Sequence, residues 1–421
     1  MHKLQDFRID FDKPDATYEP GENVSGKVIL NLSGSKNVKE IRLEARGAAE
    51  VHWTKNRKVK DSSGRRHRHT DHYKNSEHYF SISNRLLGSG TADGQTTIPA
   101  GQHSYFFSFQ LPFNIPCSIE HKYGRVRYVV NAILHRPWKF DHKVLSAFSV
   151  IAPYNLNTQE NVTSGIHDEI TRTFLYCGCC TSGGMKINAD SQVSGFVPGE
   201  IIKMLINYDN YSTRVNITKL KLKLIKNMTF HASSPIPDKM FDTEIVEKVK
   251  KNRPFGKKGE SLLNIQVPSL PPSNLEYCSI IRVSYQLALC INVSGLHFNI
   301  KRLYPVQLGT VPLFHQTANL SHYSVTPYIP SAPPIDQVTS IPQPMPQPPH
   351  IGFALMDAHI RTPAYPSQPE MAPPSYEECV YGVNTVSNQN EQRLHGSTVQ
   401  FVPKYPVYKF PMPNSVSNSC L

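Results

Sequence analysis

Apolar and polar residues alternate with a period of two along most of the first 310 positions. Phe7, Ile9 and Phe11 alternate with Arg8, Asp10 and Asp12, while Tyr105, Phe107, Phe109 and Leu111 share one face. Further on, Leu220, Leu222 and Leu224 alternate with Lys219, Lys221 and Lys223. Period two filled by aromatic and branched residues predicts strands that bury one face. Pro20-Gly21 and Pro198-Gly199 mark turns between them. No stretch shows helical periodicity with caps, so the expected class is all-β.

The pattern also repeats once. Tyr18-Glu19-Pro20-Gly21-Glu22 is answered by Phe196-Val197-Pro198-Gly199-Glu200, and Val38 to Leu43 by Ile217 to Leu222. Leu111-Pro112 is answered by Val267-Pro268, and Arg125-Val126-Arg127-Tyr128 by Arg282-Val283-Ser284-Tyr285. A period this long means two copies of a domain, because solenoid repeats run to roughly 20 to 50 residues. Two tandem immunoglobulin-like β-sandwiches are the economical solution. The boundaries read from the sequence are 5–152 for the first sandwich, 153–173 for a linker, 174–311 for the second sandwich and 312–421 for a disordered tail.

Composition changes where the alternation stops. Of the 34 prolines, 19 lie between Pro312 and Pro413. The chain carries a formal charge of +12, and all of that excess sits ahead of the tail, where four bases face six acids. A basic body suits partners that carry phosphate or carboxylate. No apolar run reaches membrane-spanning length and the amino terminus does not resemble a signal peptide, so a soluble intracellular protein is expected.

Within the tail, Pro373-Pro374-Ser375-Tyr376 is a docking peptide. A diproline favours the extended polyproline II form, which lowers the ordering cost of lying in an aromatic groove, and Tyr376 supplies a bulky anchor with a polar tip. Pro-Pro-x-Tyr is the ligand type of WW domains. Thr362-Pro363-Ala364-Tyr365 and Tyr405-Pro406-Val407-Tyr408 each lack the first proline. Pro330-Ser331-Ala332-Pro333 matches the late-domain type that recruits the ESCRT-I sorting complex in other proteins, beside the plain reading of a proline-rich linker.

The remaining clusters have bland readings beside sharper ones. Lys55 to Lys74 is dense in bases and histidines but lacks interleaved stacking aromatics, so it is expected to be a solvated loop, and no nucleic-acid partner is expected. Lys248, Lys250, Lys251, Arg253, Lys257 and Lys258 form a second basic group, and both groups are candidates for lipid headgroups or acidic tails. Cys177, Cys179 and Cys180 follow no standard ligand spacing, so no metal is expected. No phosphate loop, nucleophile elbow, zinc helix or kinase signature is present. Neither an enzyme nor a cofactor is implied.

The residues that carry the repeat, with Tyr105 to Pro112, Gly124 to Tyr128, Arg136-Pro137-Trp138 and Pro305 to Thr310, resemble the arrestin fold family, specifically its arrestin-domain-containing branch, over about residues 7 to 311. The resemblance implies two sandwiches that engage the cytoplasmic parts of membrane receptors or transporters. It also implies a Pro-Pro-x-Tyr tail that brings a WW-domain HECT-type ubiquitin ligase to them for ubiquitination, endocytosis and sorting, at the plasma membrane and endosomes. In thioredoxin-interacting protein, a member of the family, a cysteine in a setting similar to Cys278 pairs with thioredoxin. A thiol-linked redox or metabolic regulator is therefore the alternative function, and a buried strand cysteine is the plain reading of Cys278.

Overall fold

The structure, a computed structural model, describes residues 4–60, 66–88, 94–176, 180–314, 385–386 and 401–410. Each alternating segment pairs with another to bury its apolar face. In the first sandwich, β1 (Leu4–Phe11), β3 (Asn23–Leu32) and β8 (Gly101–Gln110) form one sheet. The facing sheet runs β2 (Thr17–Tyr18), β11 (His142–Val150), β10 (Gly124–His135), β5 (Glu40–Lys60) and β6 (Arg66–Leu87). At its margins β9 (Ile119–His121) pairs β10 and β21 (Thr385–Val386) pairs β11. β4 (Lys36–Val38) and β7 (Thr96–Ile98) make a small ribbon.

The second sandwich repeats this wiring. β13 (Cys180–Ser191), β15 (Ile201–Asn210) and β18 (Lys258–Gln266) answer β1, β3 and β8, with β12 (Ile166–Tyr176) added at the edge. β14 (Gly195–Phe196), β20 (Ile300–Leu308), β19 (Ile281–Val293), β16 (Ile217–Ala232) and β17 (Asp238–Asn252) answer β2, β11, β10, β5 and β6 in the same order. Between the two sandwiches Leu156–Thr158 forms a 3-10 turn.

The repeat reaches individual hydrogen bonds. Glu22 Oε2 accepts from the Glu19 amide at 2.9 Å, and Glu200 Oε2 from the Val197 amide at 3.1 Å, closing the same turn in each copy. Tyr128 donates its hydroxyl to the Pro116 carbonyl at 2.7 Å and Tyr285 to the Pro271 carbonyl at 2.8 Å. Ser118 Oγ accepts from the Val150 amide and Ser273 Oγ from the Leu308 amide, pinning β11 and β20 to the loops that cross them. The tyrosine and serine bonds are buried in both copies and satisfy polar groups that would otherwise be stranded at a cost of about 1 to 3 kcal/mol each. The cores between the sheets hold Val24, Val28, Leu43, Phe109, Tyr128 and Phe148 in the first copy, and Met204, Leu222, Leu263, Ile281, Tyr285 and Leu289 in the second.

Three segments differ from the sequence reading. Lys55 to Lys60 and Arg66 to Lys74 are not a loop: they continue β5 and β6 as a ladder, with Lys60 opposite Arg66, that projects past the sandwich. Exposure on both faces removes the alternation that would have marked them, while Trp53 stacks on Tyr73 at 5.7 Å where the arm leaves the core. β12 starts at Ile166, inside the stretch read as linker, because Ile166, Ile170 and Phe174 bury against the second core. Residues 401–410 are not free tail, since Phe401 and Tyr405 are buried against the two sandwiches.

Candidate functional site

Where the sandwiches meet, the base of the β5–β6 arm is clasped to the end of β16. The Lys74 amide donates to the Ser234 carbonyl at 2.8 Å, and the Ser233 amide donates back to the Lys74 carbonyl at 3.0 Å. Asn75 reaches the His231 carbonyl, Lys55 pairs with Asp238, and Lys122 pairs with Asp242 at 2.8 Å. The His121 ring stacks on Phe230 at 4.8 Å. Burial holds the His121 and His52 rings below the ordinary histidine pKa, so the neutral forms are favoured there. Above this clasp opens a cleft of about 740 Å³, lined among others by Arg46, His52, Lys74, His78, Lys122 and Arg125. Glu50 lies in the same cleft and is taken up by Arg125 at 2.7 Å, which leaves a basic surplus.

A second basic surface lies on the outer face of the second sandwich. The register of β16 against β17 sets Lys221 opposite Lys250 and Lys223 opposite Lys248. Like charges directly opposed on a sheet are destabilising. None of these four lysines pairs with a carboxylate among the described residues, so the face is a small lattice of unneutralised cations. The alternation that buries Leu220, Leu222 and Leu224 forces these lysines outward.

On another flank, residues 401–410 bridge both sandwiches. The Tyr405 hydroxyl donates to the Ser118 carbonyl at 2.9 Å in the first sandwich, and the Tyr405 carbonyl accepts from Ser269 Oγ at 3.1 Å in the second. Burial pushes the Tyr405 phenol well above its ordinary pKa. The Arg127 guanidinium lies over the Phe401 ring at 5.9 Å while bonding Glu120 through two nitrogens.

The sequence-derived site residues fall in different places. Pro373, Pro374, Ser375 and Tyr376 lie outside the described residues, as do Pro330, Ser331, Ala332 and Pro333, and Cys177 and Cys179. Cys180 begins β13. Cys278 is 9 % exposed, on the second sandwich, and burial raises its thiol pKa with Tyr79 and Glu77 of the first sandwich beside it. Cys117 is fully enclosed and its thiol is pushed up to about 12 by burial. The lysine lattice was half legible: the Lys219 to Lys223 alternation gave its outward direction, and only the strand register gave the opposition of like charges. The bridging segment was missed, although its aromatic residues at 401, 405, 408 and 410 were the available signal.

Comparison with known proteins follows the same division of the chain. Residues 7–157 match the arrestin (or S-antigen) N-terminal domain and residues 181–313 match the arrestin C-terminal domain. The chain is 29 % identical to arrestin domain-containing protein 17 of Caenorhabditis elegans, over 97 % of this chain and 100 % of that protein. It is 26 % identical to human arrestin domain-containing protein 1, over 82 % and 72 % of the two chains, and 28 % identical to mouse arrestin domain-containing protein 4, over 72 % and 70 %. With both domains present in family order across most of its length, the chain is an arrestin-domain-containing member of the arrestin family, a family of adaptors and scaffolds rather than enzymes.

Proposed function

We propose that this chain is an adaptor that brings a WW-domain HECT-type ubiquitin ligase to the cytoplasmic parts of membrane receptors or transporters, acting at the plasma membrane and endosomes. The observation that carries this reading is Pro373-Pro374-Ser375-Tyr376 in one chain with two arrestin domains. Tethering ligase and cargo turns a bimolecular encounter into a nearly intramolecular one, so modest affinities at each end suffice. The chemistry belongs to the ligase.

Two surfaces support the membrane-facing half of the proposal. The lattice of Lys221, Lys223, Lys248 and Lys250 offers anionic headgroups four closely set cations that form no ion pair among the described residues. The β10–β11 loop exposes Trp138 and Phe140, and the equivalent β19–β20 loop exposes Leu296 and Phe298. Apolar side chains at exposed tips on a basic body suit an interfacial bilayer contact.

The decisive test is a titration of isolated WW domains with a peptide spanning Met371 to Val380. The expected dissociation constant is about micromolar, equivalent to about 8 kcal/mol. Tyr376→Ala truncates the anchor and weakens binding by at least about thirtyfold. In cells, full-length Tyr376→Ala still co-purifies with cargo while cargo ubiquitination falls. Equal affinity of the two peptides overturns the reading.

A further inference from the structure

Phe401 to Phe410 crosses the seam without joining a sheet. It is held by side chains and isolated backbone bonds. The Lys404 amide donates to Ser149 Oγ at 3.1 Å and Lys404 Nζ to the Asp15 carbonyl at 2.9 Å, both in the first sandwich. Tyr405 takes one partner from each sandwich, Ser118 and Ser269. The Tyr408 amide donates to the Pro198 carbonyl at 2.9 Å and its hydroxyl to the Thr310 carbonyl, both in the second. Tyr408 and Phe410 pack on a separate apolar cluster of Leu156, Val162, Val197 and Leu313. Aromatic anchors in pockets, joined by a few backbone bonds, are how a bound peptide is held. No ladder has to unzip for such a segment to leave.

We propose that Phe401 to Phe410 is an exchangeable strap in a peptide-binding groove at the seam, and that Tyr405 is a phosphorylation site that controls whether the strap occupies it. In the reaction a protein tyrosine kinase transfers the γ-phosphoryl group of ATP to Tyr405 Oη. The new Oη–P bond forms as the bond between the γ-phosphorus and its bridging oxygen breaks, ADP departs, and the phenolic proton passes to the kinase's base.

The docked site cannot accept the product. The Tyr405 oxygen points at the Ser118 carbonyl, an acceptor that welcomes a hydroxyl and repels a phosphate. Glu120 adds negative field at Tyr405, and Arg127, the cation beside it, is already bonded to Glu120 at 2.7 and 2.9 Å. Lys404 is committed to Asp15. The docked phenol is also closed to a kinase, so phosphorylation acts on the undocked strap and traps it there, as linkage requires of any ligand or group that one state excludes.

The test uses the full chain and two fluorescent peptides spanning Phe401 to Phe410, one plain and one phosphorylated at Tyr405. Full-length Tyr405→Ala, whose own strap has lost its anchor, should bind the plain peptide saturably and the phosphopeptide at least about thirtyfold more weakly. Wild-type chain should take up the plain peptide at least about tenfold less, since its own strap competes at high effective concentration. Tyr405→Phe keeps the ring and serves as the folded, strap-closed control. Equal binding of the two peptides, or binding of neither, overturns the proposal. Independently of any variant, kinase treatment of wild-type chain should modify Tyr405 more slowly than in the free peptide. The modified chain should lose hydrogen-exchange protection at the Lys404 and Tyr408 amides. Equal modification rates, or protection kept after modification, also overturn it.

Discussion

The two sandwiches share their wiring and differ in their electrostatics. On the sheet containing β5 and β10, arginines meet acids: Arg42 and Arg85 pair with Glu40, Arg125 with Glu50, and Arg127 with Glu120. On the equivalent β16–β17 pair, lysine faces lysine. The fold therefore needs the alternation but not the charge balance. The first copy uses these ions to neutralise one another, whereas on β16–β17 of the second Lys226 pairs with Glu244 but Lys221, Lys223, Lys248 and Lys250 form no ion pair among the described residues. A second contrast lies at the repeated Pro-Gly-Glu turn. A Cβ at Gly21 would strike the ring of Phe113, a largely exposed side chain, whereas a Cβ at Gly199 would strike the Tyr408 backbone carbonyl. The same turn is thus covered by a local side chain in one copy and by the strap in the other.

Equivalence of the cores is the part of this comparison with the largest expected effect. Tyr128→Ala and Tyr285→Ala should each cost about 3 to 5 kcal/mol, read from guanidinium unfolding midpoints, because each removes a fully buried ring. Their Phe versions should cost about 1 to 2 kcal/mol, from leaving the Pro116 or Pro271 carbonyl without its donor. Tyr128 also contacts the rings of Phe80 and Phe148 at 6.0 and 5.9 Å. A larger loss at Tyr128 than at Tyr285 would assign the surplus to those contacts, and a much smaller one would break the equivalence.

The turn glycines come next. Gly21 and Gly199 have φ of 83° and 92°, so alanine at either position costs about 1 to 2 kcal/mol of backbone strain. Gly199→Ala should additionally raise exchange at the Tyr408 amide, while Gly21→Ala leaves that amide protected. Equal behaviour of the two variants would remove the strap from the contrast.

Changing Lys221, Lys223, Lys248 and Lys250 to Gln should raise stability by a few tenths of a kcal/mol, by relieving opposed like charges. It should also abolish the salt-sensitive retention of the chain on anionic vesicles. Arg42→Gln with Arg85→Gln strips Glu40 of its two arginine partners and leaves only His135 at 3.7 Å, so it should lower stability and leave retention unchanged. If both sets of changes affect retention alike, the electrostatic division between the copies fails.

The smallest effect concerns acid and the clasp. The hydrogen bond from Lys122 holds Asp242 below its ordinary value of 3.8, against burial, which acts upward. A carboxyl depressed in the folded state contributes stability that is complete above its unfolded value and is lost as pH falls through the folded one. The Asp242 contribution should therefore be complete above about pH 5 and weaken below about 4, while His121 and His52, which burial holds below the ordinary histidine value, withdraw stability as pH falls below about 6.5. Asp242→Asn should flatten that part of the stability curve, measured as unfolding midpoint against pH.

Much of the fold was legible because a half-buried strand writes its burial into its own residues. Phe7, Ile9 and Phe11 needed no partner to be recognised, and the echo of Tyr18 to Glu22 at Phe196 to Glu200 announced a second copy. The β5–β6 arm was illegible for the converse reason: Lys55 to Lys60 and Arg66 to His72 bury neither face, so no period survives in them until Tyr73 enters the core.

By itself the sequence determined two β-sandwiches, an outward-facing lysine row and the Pro-Pro-Ser-Tyr string on which the proposed function rests, all of them properties of neighbouring residues. Tertiary structure alone decided that Lys221 faces Lys250, that Tyr128 and Tyr285 serve equivalent carbonyls, and that Tyr405 reaches between Ser118 and Ser269. Those facts depend on strand register and on contacts between residues far apart in the chain. Local alternation fixes which way a side chain points, but only the closed fold fixes what it meets.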